Sequence, residues 1–327
     1  MKERLDAFMA RANATYYATH NPYADFTTAP EISQGFGEVL GLWAAVAWQA
    51  MGRPDPVILA EAGPGRGTLM QDALRAAGQA APDFAAALRL HLVESSPGLR
   101  ALQQGALPQA SWYDRIEDLP PGPMILLANE FLDALPIRQF VRRGAGWAER
   151  FVEEGRFVER AADRAPGLDA PEGGIVEICE PARAIATHLA TRFAAGPGAA
   201  LFIDYGPAAP AAGDSLQALR GGAYADPLAA PGEADLTAHV DFAALAGAAR
   251  AAGAQVWDAV PQGIFLARLA LPQRVEQLAR RQDPARAAAL LAGVRRLTEP
   301  HAMGRLFKAL AIGSPALPPL PGFADDV

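Results

Sequence analysis

The strongest constraint on the fold is a series of short, mostly apolar segments that alternate with helix-like segments. Each is about as long as a strand, and the five are PVILAEAG (56–63), RLHLVESS (89–96), SWYD (111–114), MILLANE (124–130) and AALFIDYG (199–206). Strands that are apolar on both faces are typical of parallel sheets covered by helices. The alternation therefore predicts an α/β fold with a doubly wound parallel sheet.

Helical periodicity precedes the first strand, and irregular segments interrupt the alternation after the fourth. Thr28, Pro30 and Glu31 match a capping box at the start of a helix. QVWDAV and IFLARLAL, separated by PQG, predict a closing antiparallel hairpin. The predicted organisation is an N-terminal helical lid segment (1–52), a core (53–135 and 199–271), a β-rich and helical insertion (136–198), a substrate loop within the core (207–240), and a C-terminal helical segment with an extended or disordered proline-rich tail (272–327).

Composition limits the classes of partner and cofactor. The net charge of −7 argues against a broad nucleic-acid surface, which needs a basic face. Cys179 is the sole cysteine, and the five histidines show no ligand spacing, so we expect no disulfide and no metal site. The charged N-terminus does not resemble a secretory signal, and the most apolar helical segment, residues 39–51, is too short to cross a bilayer. We expect a cytoplasmic bacterial protein without membrane insertion.

The glycine-rich stretch EAGPGRGTLMQDALR (61–75) predicts a cofactor site between a strand and a helix. A phosphate-binding loop needs a lysine after its glycines, and the next lysine in the chain is Lys308. The dinucleotide pattern G-x-G-x-x-G is broken at Thr68. The remaining pattern, E-x-G-x-G-x-G, places Glu61 where its carboxylate suits a cationic ligand. S-adenosylmethionine, which carries an ammonium and a sulfonium group, meets this requirement.

Acids at the ends of the next two strands extend the predicted site. Glu94 can accept hydrogen bonds from both ribose hydroxyls, and Asp114 from the adenine amino group. Together with the glycine turn, Glu94 indicates a class I methyltransferase (Rossmann-like) core, which implies a seven-stranded, doubly wound sheet with the N-terminal helical segment and β/loop insertions added. The predicted cofactor-binding residues are Thr28, Glu61, Gly63, Pro64, Gly65, Gly67, Thr68, Glu94, Ser95, Asp114 and Asn129.

Several segments along nearly the whole chain resemble the MidA family of S-adenosylmethionine-dependent methyltransferases. They are DFTTAPEISQGFGEVLGLW (25–43), EAGPGRGTLMQDALR, LVESSPGLRALQ, ANEFLDALPIRQF (128–140), FIDYG, LRGGAYADPLAAPGEADLTAHVDF (219–242), QGIFLARL and MGRLFKAL. The family often has Leu where this chain has Ala62. The resemblance implies a protein arginine methyltransferase, and its mitochondrial members act in complex I assembly. It therefore implies a protein partner that presents an arginine, with a complex I subunit as one candidate.

Methylation of an arginine would require carboxylates that hold the guanidinium group. Glu130 is the first candidate, because it ends the fourth strand where open α/β sheets bind ligands, and Asp133 is the second. Glu31, which the capping box also explains, and His239 complete the catalytic candidates. Phe26, Thr27 and Thr28 are predicted to close over the cofactor, and Asp204 and Tyr205 to line the substrate channel. Two alternatives remain open: a methyltransferase for a small amine or hydroxyl compound, and a non-catalytic assembly factor.

Overall fold

The computed structural model describes residues 2–20 and 27–323. The strands are β1 (Lys2–Arg4), β2 (Val57–Ala62), β3 (Leu88–Val93), β4 (Ser111–Tyr113), β5 (Met124–Asn129), β6 (Arg138–Arg143), β7 (Gly146–Glu153), β8 (Arg156–Ala161), β9 (Ile175–Ile178), β10 (Gly198–Tyr205), β11 (Gln217–Arg220), β12 (Ala223–Ala225), β13 (Asp235–Thr237), β14 (Gln255–Pro261) and β15 (Phe307–Gly313). The helices are α1 (Leu5–Thr19), α2 (Ala29–Ile32), α3 (Gln34–Ala50), α4 (Thr68–Ala80), α5 (Pro82–Ala87), α6 (Pro97–Ala106), α7 (Glu180–Ala195), α8 (Phe242–Ala251), α9 (Gln262–Arg268), α10 (Leu271–Ala279), α11 (Pro284–Thr298) and α12 (Met303–Leu306).

The chain forms two compact units, each assembled from three separate ranges. The core unit comprises Thr27–Glu130, Ile185–Tyr205 and Ala246–Val327. The insertion unit comprises Met1–Phe26, Phe131–Ala184 and Gly206–Leu245. The helices of the predicted lid segment are therefore divided, because α1 belongs to the insertion unit, whereas α2 and α3 belong to the core unit.

The core unit contains a seven-stranded sheet in the order β14-β15-β10-β5-β2-β3-β4. Neighbours from β4 to β10 pair in parallel, and β15 runs antiparallel to both β10 and β14. This arrangement confirms the predicted doubly wound, seven-stranded fold. The central strands are fully buried, as expected for a sheet covered on both faces.

The predicted closing hairpin is wrong in one of its two strands. β14 forms as predicted, but IFLARLAL lies mostly in the helix α9, and the partner of β14 is β15. Within α9, Phe265 and Leu266 are buried while Ile264 is exposed, which fits a helical face. The strand β15 lies in the segment predicted to be helical. Its sequence, FKALAIG, shows no alternation because the strand is buried on both faces.

Two glycines allow α3 and α4 to approach closely. Gly37 and Gly41 lie four residues apart and therefore share one face of α3. A Cβ atom on Gly41 would lie 2.5 Å from the backbone oxygen of Ala73 in α4, and one on Gly37 would lie 2.8 Å from that of Leu69. The α3–α4 pair covers one face of the sheet, where Phe36, Leu40 and Trp43 of α3 enter the largest hydrophobic cluster.

The insertion unit is built from α1 and two antiparallel sheets. β7 pairs with β1, β6 and β8, and β6 pairs with β9, while β11 lies between β12 and β13. The buried side chain of Asn13 donates to the backbone oxygens of Ala134 (3.0 Å) and Leu236 (2.8 Å), and accepts from the Leu236 amide (3.0 Å). This single amide thus connects α1 to β13 and to the chain that follows β5. The predicted 207–240 loop supplies β11–β13.

The described part of the proline-rich tail, residues 314–323, packs against other elements of the core unit. Leu320 is buried, the ring of Phe323 lies 5.2 Å from that of Phe265, and the Trp43 indole donates to the Pro321 oxygen (3.1 Å). Residues 314–323 make these contacts without forming a strand or helix. No described helix is long and apolar enough to cross a membrane.

Replacement of Gly41 by Ala should destabilise the protein by about 1–3 kcal/mol, because the new methyl group overlaps the Ala73 backbone. Gly78→Ala in α4 is the matched control. It has no neighbour within 4 Å and should stabilise by up to about 1 kcal/mol through helix propensity. Chemical denaturation of both variants measures the difference, and equal effects would show that the α3–α4 approach is not tight.

Candidate functional site

The candidate site lies at the carboxyl ends of β2 and β5, where the chain order of the sheet reverses. From β2 the chain proceeds outward to β3 and β4, and then returns to β5 on the other side of β2. Ligands bind in the crevice at such a switch point in open α/β sheets. Glu61 pairs with Leu127, so Asn129, two residues further along β5, faces the same side of the sheet as Glu61.

The glycine turn lies between β2 and α4, where the sequence pattern predicts it. Gly63, Gly65 and Gly67 have φ angles of 67°, 55° and 80°, in the left-handed region that favours glycine. The Gly67 amide donates to the Pro64 oxygen (2.7 Å), which closes the turn just before α4 begins at Thr68. A Cβ atom on Gly67 would also lie 3.0 Å from Leu107 Cδ1.

Glu61 is a buried carboxylate whose Oε2 atom has no hydrogen-bond partner within residues 2–20 and 27–323. Burial raises its pKa from an ordinary 4.5 to about 8. Asn129 Oδ1, on the same side of the sheet, is likewise buried without a partner in the described chain. Two unsatisfied acceptors at this position fit a ligand that brings N–H donors and positive charge, as an α-ammonium group does.

Glu94 follows β3 and is held in place by its surroundings. Its Oε1 accepts from the Ser96 amide (2.8 Å), and its Oε2 accepts weakly from Gln103 Nε2 (3.4 Å). Burial raises its pKa, while these hydrogen bonds act in the opposite direction. Ser95, its predicted companion, is exposed.

Gln103, on α6, is a site residue that the sequence reasoning missed. It is fully buried and donates from Nε2 to the Gly65 oxygen (2.7 Å), while its Oε1 accepts from the Trp112 indole (2.9 Å). It thus joins the glycine turn to Glu94 and to β4. The only signal in the sequence was its place on α6, one turn after Leu99, on the face that packs inward.

Asp114 is engaged by a neighbouring arginine. Arg100 Nη2 donates to Asp114 Oδ1 (2.7 Å), and Arg100 Nε donates to the backbone oxygen of Glu94 (2.6 Å). The Asp114 side chain is 72% exposed. Its role as an adenine acceptor stays a prediction.

Glu130 connects the end of β5 to the start of α2. It has a φ of 50°, and its Oε1 accepts from the Ala29 amide (2.9 Å) and from Asn129 Nδ2 (3.0 Å). Burial raises its pKa, whereas these two hydrogen bonds and the charge of Arg296 lower it. One oxygen therefore takes both hydrogen bonds, and no bond to Oε2 occurs among the described residues.

Glu31 and Thr68 are joined by a hydrogen bond, because Thr68 Oγ1 donates to Glu31 Oε1 (2.6 Å). The predicted capping box is incomplete: Thr28 is the N-cap of α2, but its side chain makes no capping bond, and α2 ends after four residues. Glu31 therefore links α2 to the first residue of α4. Phe26, predicted as part of the lid, lies outside the described residues.

Two catalytic candidates belong to the insertion unit. Asp133 is buried, and its backbone oxygen accepts from the Ala238 amide (2.9 Å). Burial is the main cause that raises the pKa of Tyr17, and the negative charges of Asp235 and Asp133 raise it further. His239 is exposed beside a small pocket that Leu132, Cys179 and Arg183 also line. The catalytic assignments of Asp133 and His239 stay predictions.

The two residues predicted to line the substrate channel belong to the core unit. Asp204 is buried, and the ring of Tyr205 lies 5.4 Å from that of Phe307.

Comparison with known proteins identifies the class of this site. The model of a family of S-adenosyl-L-methionine-dependent methyltransferases matches residues 39–260. A crystal structure of a protein from Burkholderia thailandensis bound to S-adenosyl-homocysteine is similar over 99% of this chain and 90% of that chain, with a TM-score of 0.82 and 27% identity.

Similar proteins include two animal relatives. Protein arginine methyltransferase NDUFAF7, mitochondrial, of Danio rerio is 36% identical over 88% of this chain and 76% of its own length. The homologue of Drosophila melanogaster is 33% identical over 95% of this chain and 80% of its own length. The chain therefore belongs to the methyltransferase family whose model matches residues 39–260, and it is an S-adenosylmethionine-dependent methyltransferase.

The residues present fit the cofactor. Glu61 and Asn129 offer unsatisfied acceptors to an ammonium group, the glycine turn leaves the backbone accessible, and Glu94 is placed to accept from ribose hydroxyls. When bound, S-adenosylmethionine supplies a methyl group activated by the adjacent sulfonium. The protein contributes the binding and orientation of the reacting groups.

Glu61→Gln should change cofactor affinity and stability in opposite directions. The folded wild-type protein retains the Glu61 proton between pH 4.5 and about 8, whereas the unfolded chain releases it, so ligand-free stability falls as pH rises through this window. The total loss is about 5 kcal/mol. Glu61→Gln should remove this slope, unfold at higher denaturant concentration at pH 8, and bind S-adenosylmethionine at least roughly tenfold more weakly. A variant that loses both stability and affinity would contradict the assignment.

Gln103→Met should weaken cofactor binding roughly tenfold, because it releases Glu94 and leaves the Trp112 indole without its acceptor. Gln104→Met is the matched control, since Gln104 is the next residue of α6 and is exposed. Calorimetric titration with S-adenosylhomocysteine compares the two. Equal affinities in both variants would remove Gln103 from the site.

Proposed function

We propose that this methyltransferase modifies an arginine side chain of a protein. The similar animal proteins carry the name protein arginine methyltransferase, and their likeness covers most of both chains. The observation that carries the proposal is the arrangement of Glu130 at the end of β5. One of its oxygens is anchored by two hydrogen bonds, and the other remains available to a substrate cation.

The chemistry of an arginine acceptor explains why such a carboxylate is useful. A guanidinium group stays protonated at neutral pH, and its lone pairs are delocalised. A carboxylate that binds two of its N–H groups orients the third nitrogen and draws positive charge toward itself. Burial makes this interaction stronger than in water, and a cation at Glu130 would favour its ionised form.

We further propose that the acceptor is a subunit of respiratory complex I and that the reaction occurs in the bacterial cytoplasm. The first part follows from the resemblance to family members that act in complex I assembly. The second rests on the cysteine content, because the sole cysteine, Cys179, fits a reducing compartment. Both are tested by comparing the intact masses of complex I subunits from strains with and without the gene, after separation of soluble and membrane fractions.

The acceptor class is tested by incubating the purified enzyme and methyl-labelled cofactor with an extract of a deletion strain. We expect label in protein, recovered as methylarginine after acid hydrolysis. Label found only in small molecules would support the small amine or hydroxyl alternative. A protein that binds the cofactor but labels nothing would support the assembly-factor alternative.

Glu130→Gln should reduce the methylation rate by about 100-fold or more, because the amide lacks the charge that holds guanidinium. The Gln oxygen can still accept from Ala29 and Asn129, so cofactor affinity should change little. Glu154→Gln is the control, because Glu154 is exposed and has a similar φ of 51°. Single-turnover methylation and calorimetry measure both effects, and a loss of cofactor affinity without a slower transfer would remove Glu130 from the substrate role.

A further inference from the structure

Charge is distributed unevenly between the C-terminal helices and the rest of the chain. Residues 262–308, which form α9–α12 and the start of β15, contain nine Arg and Lys residues and three Asp and Glu residues. Their formal charge is therefore +6, against −7 for the whole chain, which leaves −13 elsewhere. Because salt screens charges beyond about 8 Å at physiological ionic strength, a bound partner responds to this local charge and not to the net charge.

Six exposed arginines carry most of this positive charge. We call them the arginine cluster: Arg280, Arg281, Arg286, Arg295, Arg296 and Arg305. Within the part of the chain that the structure describes, none of the six forms an ion pair. By contrast, the half-buried Arg274 on α10 donates to Glu38 (2.6 Å).

Helix stability explains only part of the cluster. Arg295 and Arg296 lie in the last turn of α11, where cations interact favourably with the helix dipole. Arg286 lies in the first turn of the same helix, where a cation is unfavourable. Repulsion among like charges further opposes such a concentration. A binding role accounts for the residues that helix stability does not.

The arginine cluster lies on α11, on α12 and in the turn between α10 and α11, and α11 packs next to the candidate site. α11 packs on α10 and α12, and it also reaches α2. A Cβ atom on Gly293 of α11 would lie 2.9 Å from the Ile32 oxygen at the end of α2. The first amide of α2, that of Ala29, donates to Glu130. The charge of Arg296 also acts on Glu130, where it opposes the effect of burial on the pKa.

We propose that the arginine cluster docks an acidic surface of the protein that receives the methyl group. This inference rests on the proposed function, since it assumes a protein acceptor. Docking here would bring the acceptor beside α2 and Glu130. Ile264 of α9 and Leu306 of α12, which are about half exposed on neighbouring helices, add the apolar contacts that accompany arginine in protein interfaces.

The surface is less suited to other anionic partners. Phe265 and Phe307, the only Phe, Tyr or Trp side chains of residues 262–308, are buried. His301 is the one exposed aromatic ring there, whereas single-stranded nucleic acids stack on a series of exposed aromatics. Membrane-surface helices present a whole apolar face with anchors such as Trp, Phe or Leu, whereas Ile264 and Leu306 are the only exposed large apolar side chains of residues 262–308. An acidic protein surface needs only charge complementarity and small apolar contacts.

The test compares two charge-reversal variants of equal net charge. Arg281→Glu/Arg295→Glu changes the arginine cluster, and Arg89→Glu/Arg156→Glu changes two exposed arginines outside it. Both leave Arg296 intact and take the net charge from −7 to −11. The measurement is the initial rate of protein labelling, with increasing amounts of deletion-strain extract and at low and high salt. Cofactor titration shows that each variant is folded.

We expect the cluster variant to label protein roughly tenfold more slowly at low extract concentration, to approach the wild-type rate at high concentration, and to lose salt sensitivity. The control variant should match the wild type. If the cluster variant does not fold, Arg281→Gln/Arg295→Gln should give a smaller effect in the same direction. Equal labelling by the cluster variant and the wild type would overturn docking and leave the proposed function intact.

Two further results separate the remaining outcomes. If the wild type labels no protein at all, the proposed function fails and docking fails with it. Sedimentation with phosphatidylglycerol vesicles and retardation of duplex DNA are measured in parallel. Suppose that the wild type binds vesicles or DNA, that the cluster variant does not, and that both label protein equally. This result would assign the arginines to that partner and reject the docking of an acceptor protein.

Discussion

The buried carboxylate of Glu61 is the constraint on which the cofactor site depends. A carboxylate without a hydrogen-bond partner is costly inside a protein, and the protein reduces that cost by retaining a proton. A ligand that brings its own positive charge changes this balance. The site is thus arranged to gain more from a cation than from a neutral or anionic ligand, which distinguishes it from phosphate-binding turns at the same place in other α/β folds.

The residues around Glu61 fix the positions of the other groups in the cofactor site. The switch point between β2 and β5 brings Glu61 and Asn129 to one side of the sheet. Gln103 couples the glycine turn to Glu94, and Glu130 couples β5 to α2. Most of these contacts use backbone groups or buried side chains, so the site is largely formed before any ligand binds. Such preorganisation is what a transfer reaction needs from its enzyme.

Sequence reasoning predicted the parts of the fold that follow from local pattern. The five parallel strands and the glycine turn were predicted because buried strands and alternating glycines after a strand leave clear signals. β15 was missed because a strand that is buried on both faces carries no alternation, and FKALAIG reads equally well as a helix. IFLARLAL was misassigned for the related reason that short apolar runs do not distinguish strand from helix.

The candidate site was predictable where a residue stands next to a turn or a strand end, and not where distant segments meet. Glu61, Glu94 and Glu130 were found by position, whereas Gln103 resembles any polar residue on an amphipathic helix until its three partners are known. The pattern around Glu31 predicted a capping box, but the contact that forms is with Thr68, which is 37 residues away. Tertiary contacts of this kind have no local signature.

The measurement that tests the account most directly is the number of protons released when the cofactor binds. Titration of S-adenosylhomocysteine at pH 7, in two buffers with different ionisation enthalpies, gives this number for the wild type and for Glu61→Gln. Because Glu61 has a pKa of about 8 before binding and becomes ionised beside an ammonium group, the wild type should release about one proton more than the variant. Equal proton counts would mean that Glu61 does not receive the cationic end of the cofactor, and the assignment of the site would fail.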